Sequence, residues 1–434
     1  MKRDRLVELL RWKTGKHRKP LLVRGARQVG KTWLLQEFGR TAYRHCVYVN
    51  FEDAAGLQSL FVDDFDIDRV MRVLQVEFRT RIVPEDTLLI FDEIQSAPRA
   101  LTALKYFCEK APEYHIAAAG SLLGVALHEH VPFPVGKVDF LDLEPMSFAE
   151  YLHAMGEGEL VGLLNARDWP AIAHFKARLT DHLKYYLFVG GMPEAVAVYA
   201  ESRDIDAVRR IQRRILDAYE TDFSKHAPVA LVPRIRMVWQ ALPSQLAKEN
   251  RKFVYGALRP GSRAKDFELA LQWLLDCGLV IKSSRVAKPG MPLAAYVDLA
   301  VFKLFMMDVG LLAAKAGLDG RTIIDGNRVF EEFKGALTEQ FVLQQLRCLP
   351  HDFIGYWTNE KSTAEVDFLL QAGGRVIPIE VKAGENLRAR SFRVFCEKYH
   401  PNVAVRTSLS DYREESWMFN LPLYGIGAIG AVGR

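Results

Sequence analysis

Between residues 20 and 145, short apolar runs alternate with stretches of helical spacing: Leu21-Leu-Val-Arg, Cys46-Val-Tyr-Val-Asn, Leu88-Leu-Ile-Phe-Asp, Ile116-Ala-Ala-Ala-Gly and Val138-Asp-Phe-Leu. A strand that is apolar without alternation is covered on both faces, so these runs predict a parallel α/β sheet with helices packed on each side. From Ser147 to about Phe223 the spacing changes. Phe148, Tyr151 and Leu152, then Ile211, Ile215, Leu216 and Tyr219, recur at three and four residues and predict a mostly helical lid. Farther on, helices are expected over 234–241, 244–249 and 262–277, followed by a hairpin of Val280–Lys282 with Ala295–Asp298, an order that suggests a winged helix. A helix over Glu331–Leu346 and strands over Val366–Leu370 and Val376–Val381 complete the reading. The expected fold class is therefore multidomain α/β, with boundaries at 1–145, 146–228, 229–324 and 325–434.

Composition narrows this picture without redirecting it. With 434 residues, 49% hydrophobic and 26% charged, the chain resembles neither a disordered protein nor a collagen. Its net charge of +5 is unevenly placed: residues 231–290 hold eleven Lys or Arg against four acids, so the rest of the chain is slightly acidic. Lys248, Arg251, Lys252, Arg263 and Lys265 form the heart of that basic segment, which reads either as a DNA or RNA contact or as a solvated face. Trp239, Phe253 and Trp273, interleaved with it, read as core. The five cysteines have no close pair, which argues against a zinc cluster or a disulfide framework and for a reducing compartment. The early apolar residues Leu6 to Leu10 are interrupted by Arg11 and Lys13, and the stretch around Ala117–Leu127 is broken by Gly120, Ser121 and Gly124. Neither makes a signal-peptide core or a membrane span, so a cytoplasmic protein is expected.

The sharpest chemical signal is Gly25-Ala26-Arg27-Gln28-Val29-Gly30-Lys31-Thr32, which satisfies the phosphate-loop pattern and stands between an apolar strand and a helical pattern that continues through Trp33. Glycines let backbone N–H groups approach phosphate oxygens, and the helix N-terminus favours an anion. Lys31 would neutralise the β/γ oxygens of ATP and Thr32 would hold Mg²⁺. Asp92, at the end of the strand Thr87–Asp92, is the expected second metal contact, and Glu93 the residue that orients attacking water. Ser121 serves either as a γ-phosphate sensor or as packing around Gly120; Arg27 and Gln28 face either nucleotide or a neighbouring element. Lys137, Arg203 and Arg209 are undifferentiated arginine-finger candidates.

A second constellation lies near the C-terminus. Asp367 sits on an apolar strand, Gln371-Ala-Gly-Gly turns the chain, and Glu380 and Lys382 share one face of the returning strand by period-two alternation. Asp367, Glu380 and, from the preceding helix, Glu339 would offer hard oxygen ligands to Mg²⁺ or Mn²⁺, with Lys382 beside the attacking water. This acid, hairpin, Glu-x-Lys order is the pattern of the PD-(D/E)xK nuclease fold; the bland alternative is a salt bridge at a sheet edge. His128 and His130 flank Glu129 without a third ligand at useful spacing, and read as surface residues.

Taken in order, the blocks GARQVGKTWL (25–34), LLIFDEIQ (88–95), AGSL (119–122), LEPMSF (143–148), GGMPEA (190–195), QLAKENRKF (245–253), ALQWLLDCGLV (270–280), FMMDVGL (305–311), EVDFL (365–369) and IEVKAGEN (379–386) are similar to one family. It comprises prokaryotic ATP-binding proteins that join an AAA-type P-loop domain to a C-terminal domain of unknown function with a restriction-endonuclease-like fold. The resemblance spans nearly the whole chain. It implies an ATPase core, a helical lid, a winged-helix segment and a nuclease-like end, and supplies no substrate. Where the family carries Gly-Arg, this chain has Gly136-Lys137, which keeps the charge and gives up bidentate geometry, implying slow turnover. Three readings follow: an ATPase whose nucleotide state licenses a DNA-binding nuclease, a nucleotide-controlled binding switch with an inactive nuclease-like region, and an ATPase that docks a protein partner or further copies of itself.

Overall fold

The computed structural model describes residues 1–53, 55–61, 64–120, 133–248, 251–320, 328–359, 364–385 and 389–433. Ser121 and the His128–His130 group lie outside them. The chain divides into two compact units, one of Lys2–Glu144 with Asp276–Gly278, the other of Met1, Pro145–Leu275 and Leu279–Arg434. Among the described residues no helix is long and apolar enough to cross a membrane.

The first unit is built on strands β1 (Leu21–Arg24), β2 (His45–Asn50), β3 (Thr87–Asp92), β4 (His115–Ala119) and β5 (Asp139–Asp142), in the spatial order β2-β3-β4-β1-β5 and parallel throughout. Every residue of β3 and β4 is buried, as continuous apolar runs require. Phe51, Phe61, Phe91 and Phe107 pack edge to face on one side of this sheet. Because the strands are parallel, the turns after β1 and β3 open at the same carboxyl edge, where α/β sheets bind ligands.

The second unit begins with helices. Phe148–Ala154 starts at a capping box in which Ser147 and Glu150 satisfy each other's backbone N–H groups. Lys176–Val189, Pro193–Ser202 and Ile205–His226 follow, the last capped by Asp204. The helices expected over 234–241 and 244–249 are one over the described residues: Val232–Leu246 runs through Pro243. The helix Ala264–Asp276 leads into a hairpin of β6 (Val280–Val286) and β7 (Val297–Met306) that is longer than expected and set differently, with Lys282 opposite Leu304 and Arg285 opposite Asp298.

That hairpin does not stand free as a wing. Ser284 and Arg285 of β6 pair with Gly355 and Tyr356 of β8 (Phe353–Thr358), so the hairpin forms one end of an eight-stranded sheet. A β-carbon on Gly355 would lie 2.8 Å from the Ser284 carbonyl oxygen, so only glycine admits so close a strand. The sheet continues through β9 (Glu365–Ala372), β10 (Arg375–Val381), β11 (Val405–Ser408), β13 (Met418–Pro422) and β12 (Arg413–Glu415). β8, β9 and β10 run antiparallel, whereas β11 joins β10 in parallel after the helix Arg390–Tyr399. The helix Arg328–Cys348 precedes them.

Candidate functional site

The phosphate loop follows β1 and bends through three positive φ angles: 145° at Gly25, 65° at Gln28 and 92° at Gly30. Gly25 has no room for anything larger, since a β-carbon there would sit 2.3 Å from the Leu143 carbonyl oxygen. Gly30 caps the helix Lys31–Ala42, whose first turn carries no acid, so its N-terminus is open to a phosphate. Lys31 is buried, and its Nζ donates to the Gly25 and Ala26 carbonyls at 2.8 and 2.7 Å. Burial pulls its pKa down to about 8, against the opposing pull of Glu93 and Asp92. Ala26 and Val29 are buried; Arg27, Gly30, Thr32 and Trp33 are half-buried and Gln28 is exposed.

Asp92, 3% exposed at the end of β3, is held from three directions. Its Oδ2 accepts from the Thr32 hydroxyl at 2.6 Å and from the Tyr48 hydroxyl at 2.9 Å, and its Oδ1 accepts from the Glu93 N–H. Thr32 and Asp92 are thus paired, as residues that both approach one Mg²⁺ would be. The donor set fits the group: backbone amides and Lys31 for phosphates, a hydroxyl and a carboxylate for a hard cation. Glu93 has φ 48°, and its Oε2 accepts from the Gln95 amide at 2.5 Å.

Three positioning residues were absent from the sequence reading. Tyr48, on β2, donates to Asp92 Oδ2, the same oxygen that accepts from Thr32. Gln95 holds Glu93; its place in the DEIQ block was visible, its direction was not. Arg3, buried, donates to the Val29 carbonyl at 2.8 Å and to the Glu144 carbonyl at 2.6 Å, tying the loop to the segment after β5. No sequence signal marks Arg3, because its partners are backbone atoms. Lys137 pairs with Glu109 at 2.9 Å, while Arg203 lies over the Tyr199 ring and Arg209 over Phe188.

In the second unit, Asp367 and Glu380 meet where β9 and β10 pair, with Phe368 opposite Ile379. Asp367 Oδ2 accepts from the Val381 N–H at 2.7 Å, and Lys382 Nζ pairs with Glu380 Oε1 at 2.6 Å. Burial, then the neighbouring Asp367, raises the Glu380 pKa to about 7. Glu339, 4% exposed on its helix, does not turn to them. It pairs with Arg251 through Oε1, and its Oε2 lies 3.5 Å from Nζ of the fully buried Lys303, which also pairs with Glu365. Among the described residues no three His, Cys, Asp or Glu side chains converge closely enough to hold a metal ion. The expected metal set of Glu339, Asp367 and Glu380 is therefore gathered in one neighbourhood but not on one point: Glu339 pairs with Arg251 and Lys303, and Glu380 with Lys382.

Arg251 also leaves the expected basic stripe: its side chain is 19% exposed and turned inward. Arg263 and Lys265 are exposed, and Lys248 and Lys252 are half-buried. Trp239, Phe253 and Trp273 are core residues, as their pattern predicted.

Three sequence blocks that had no chemistry of their own meet at Asp308. Its Oδ2 accepts from the Gly191 N–H at 2.6 Å and from Gln344, and its Oδ1 caps the helix Val309–Lys315 through the Leu311 N–H. The Met146 N–H in turn donates to the Gly191 carbonyl. LEPMSF, GGMPEA and FMMDVGL thus form a buried structural junction.

Residues 17–152 match a family model described as an AAA domain. Residues 180–322 and 334–424 match two models each described as a domain of unknown function, DUF8612 and DUF4143. No curated protein matches the sequence. Among solved structures the chain is similar to the Walker-type ATPase PABY2304 of Pyrococcus abyssi, at 13% identity over 72% of this chain and 95% of that one, TM-score 0.46. It is also similar to ORC1 of Aeropyrum pernix in complex with DNA, at 14% identity over 73% and 93%, TM-score 0.30. For Cdc6p from Pyrobaculum aerophilum the identity is 13% over 74% and 93%, TM-score 0.24. The AAA match falls on the five-stranded parallel sheet and its loop, so the chain carries an AAA-type P-loop domain over residues 17–152.

Proposed function

We propose that the protein is a Mg²⁺-dependent ATPase whose nucleotide state controls a nucleic-acid-binding region in its second unit. The observation that carries the ATPase reading is the 2.6 Å bond between Thr32 and Asp92 beside a buried Lys31 at a helix N-terminus. In it Lys31 turns from the Gly25 and Ala26 carbonyls to the β/γ phosphates, while Thr32 and Asp92 hold the metal. Glu93 orients water once the Gln95 amide releases it. Arg263 and Lys265 offer phosphate contacts to DNA or RNA.

The helix carrying Glu339, the β8-β9-β10 meander and the parallel β11 support a PD-(D/E)xK-like reading of the C-terminal region. One observation favours the binding switch over the nuclease: Glu339 is engaged by Arg251 and Lys303 rather than turned toward Asp367 and Glu380. No cleavage step is assigned to this arrangement.

A paired assay on wild type, Lys31→Ala and Asp367→Ala tests both parts, following phosphate release and cleavage of labelled DNA and RNA with and without ATP and Mg²⁺ or Mn²⁺. Phosphate release lost in Lys31→Ala, with no cleavage by any variant and ATP-dependent retention of nucleic acid, is the expected outcome. Cleavage by wild type that disappears in Asp367→Ala would establish the nuclease instead. Wild type that releases no phosphate would sink the ATPase reading.

A further inference from the structure

The carboxylate cluster holds four acids, Glu339, Glu365, Asp367 and Glu380, and three cations of its own, Arg251, Lys303 and Lys382. Lys303 belongs to β7 and Lys382 directly follows β10. Arg251 arrives from a loop, and that loop is built to deliver it. Gln245, 1% exposed at the end of its helix, clamps Val254 by donating to its carbonyl and accepting from its N–H. The Phe253 N–H donates to the Phe302 carbonyl at 2.9 Å, the two rings stack, and Lys252 bridges to Lys303. Arg251 itself has φ 48°, a left-handed conformation that costs free energy in a non-glycine residue and persists only where its surroundings impose it.

The receiving side is shaped to match. Gly335 lies one helical turn before Glu339, and a β-carbon there would come within 2.8 Å of Arg251 Nη2. The guanidinium therefore occupies space left open by a glycine, against Glu339 and within the field of Asp367 and Glu365.

We propose that Arg251 is an internal counter-cation that keeps divalent metal out of this cluster, so that Mn²⁺ or Mg²⁺ binds only when the 251–254 segment withdraws its guanidinium. With every group ionised, the four acids and three cations sum to −1, and without Arg251 to −2, which a divalent ion neutralises; a bound cation also favours the ionised form of Glu380, whose pKa is raised to about 7 without one. A unit positive charge a few ångströms from a divalent ion is strongly repulsive at any dielectric a protein offers. The inference rests on the carboxylate cluster described above and not on the ATPase reading.

The test is direct Mn²⁺ binding to the full chain without nucleotide, followed by the electron paramagnetic resonance of free Mn²⁺. An Asp92→Asn background removes the other metal contact, so failure of the ATPase reading cannot alter the result. Arg251→Gln should bind Mn²⁺ at least about tenfold more tightly than the Arg251 parent. Adding Glu339→Gln should abolish the gain. Gly335→Ala, which displaces only the guanidinium tip, should give a smaller gain and guards against loss of folding in Arg251→Gln. Both guanidinium variants binding no more tightly than the parent, or a gain that survives Glu339→Gln, would overturn the proposal.

Discussion

The two candidate sites differ in what builds them. The phosphate site is made of one contiguous loop and the end of a neighbouring strand, and most of its contacts are backbone. The carboxylate cluster is made of side chains from a helix, two paired strands, the β6-β7 hairpin and a loop, and it carries its own counter-ions. Two glycines express the contrast. At Gly25 a β-carbon would strike the backbone carbonyl of Leu143, which cannot yield; at Gly335 it would strike only the tip of a flexible arginine. The first site is fixed largely by backbone before any ligand arrives, whereas the Arg251 proposal has the second change its charge and shape by moving one side chain.

The largest effect that bears on this contrast is expected from Gly25→Ala. At φ 145°, with a 2.3 Å approach to backbone, it should destabilise the first unit by about 2 kcal/mol or more and abolish nucleotide binding. Denaturant unfolding and equilibrium titration with a fluorescent nucleotide measure both. A variant that binds nucleotide normally would show that the loop is not rigid.

The next effect is one of pH. The folded Lys31 pKa of about 8 lies below the ordinary lysine value of 10.5, so between these values the unfolded chain binds more protons and stability rises as pH increases. Nucleotide phosphates demand the charged form, so affinity should move oppositely, falling by up to about tenfold per pH unit above 8. Lys31→Arg, charged throughout, should flatten that profile. The same slope in both proteins would exclude Lys31 as its source.

The smallest effect is expected from Tyr48→Phe. Removing one donor from Asp92 Oδ2 should raise the Mg²⁺ concentration for half-maximal phosphate release about fivefold, while affinity for Mg²⁺-free nucleotide stays unchanged. An unchanged Mg²⁺ response would show that Thr32 alone positions Asp92.

Element by element, legibility followed the range of the interactions. The apolar runs became β1 to β5 because burial on both faces leaves a continuous pattern, and the loop at 25–32 was readable because adjacent residues make its own turn. The separate short helix expected at 244–249 was a local misreading, since Pro243 is accommodated inside Val232–Leu246. The hairpin after Ala264–Asp276 was anticipated, but its incorporation into the large sheet depended on pairing with β8, about seventy residues away in sequence, for which spacing carries no signal.

By itself, then, the sequence determined the parallel sheet, the phosphate loop, the strand-end Asp92-Glu93 pair and the presence of acids and a lysine around residues 365–382. Contiguity is the reason: period and motif encode geometry when the interacting atoms are near one another along the chain. Only the tertiary structure decided that Tyr48 holds Asp92, that Arg3 ties down the loop, and that Arg251 and Lys303 face Glu339. Those are long-range ion pairs and hydrogen bonds, whose partners are chosen by packing and by the cost of leaving a buried charge alone.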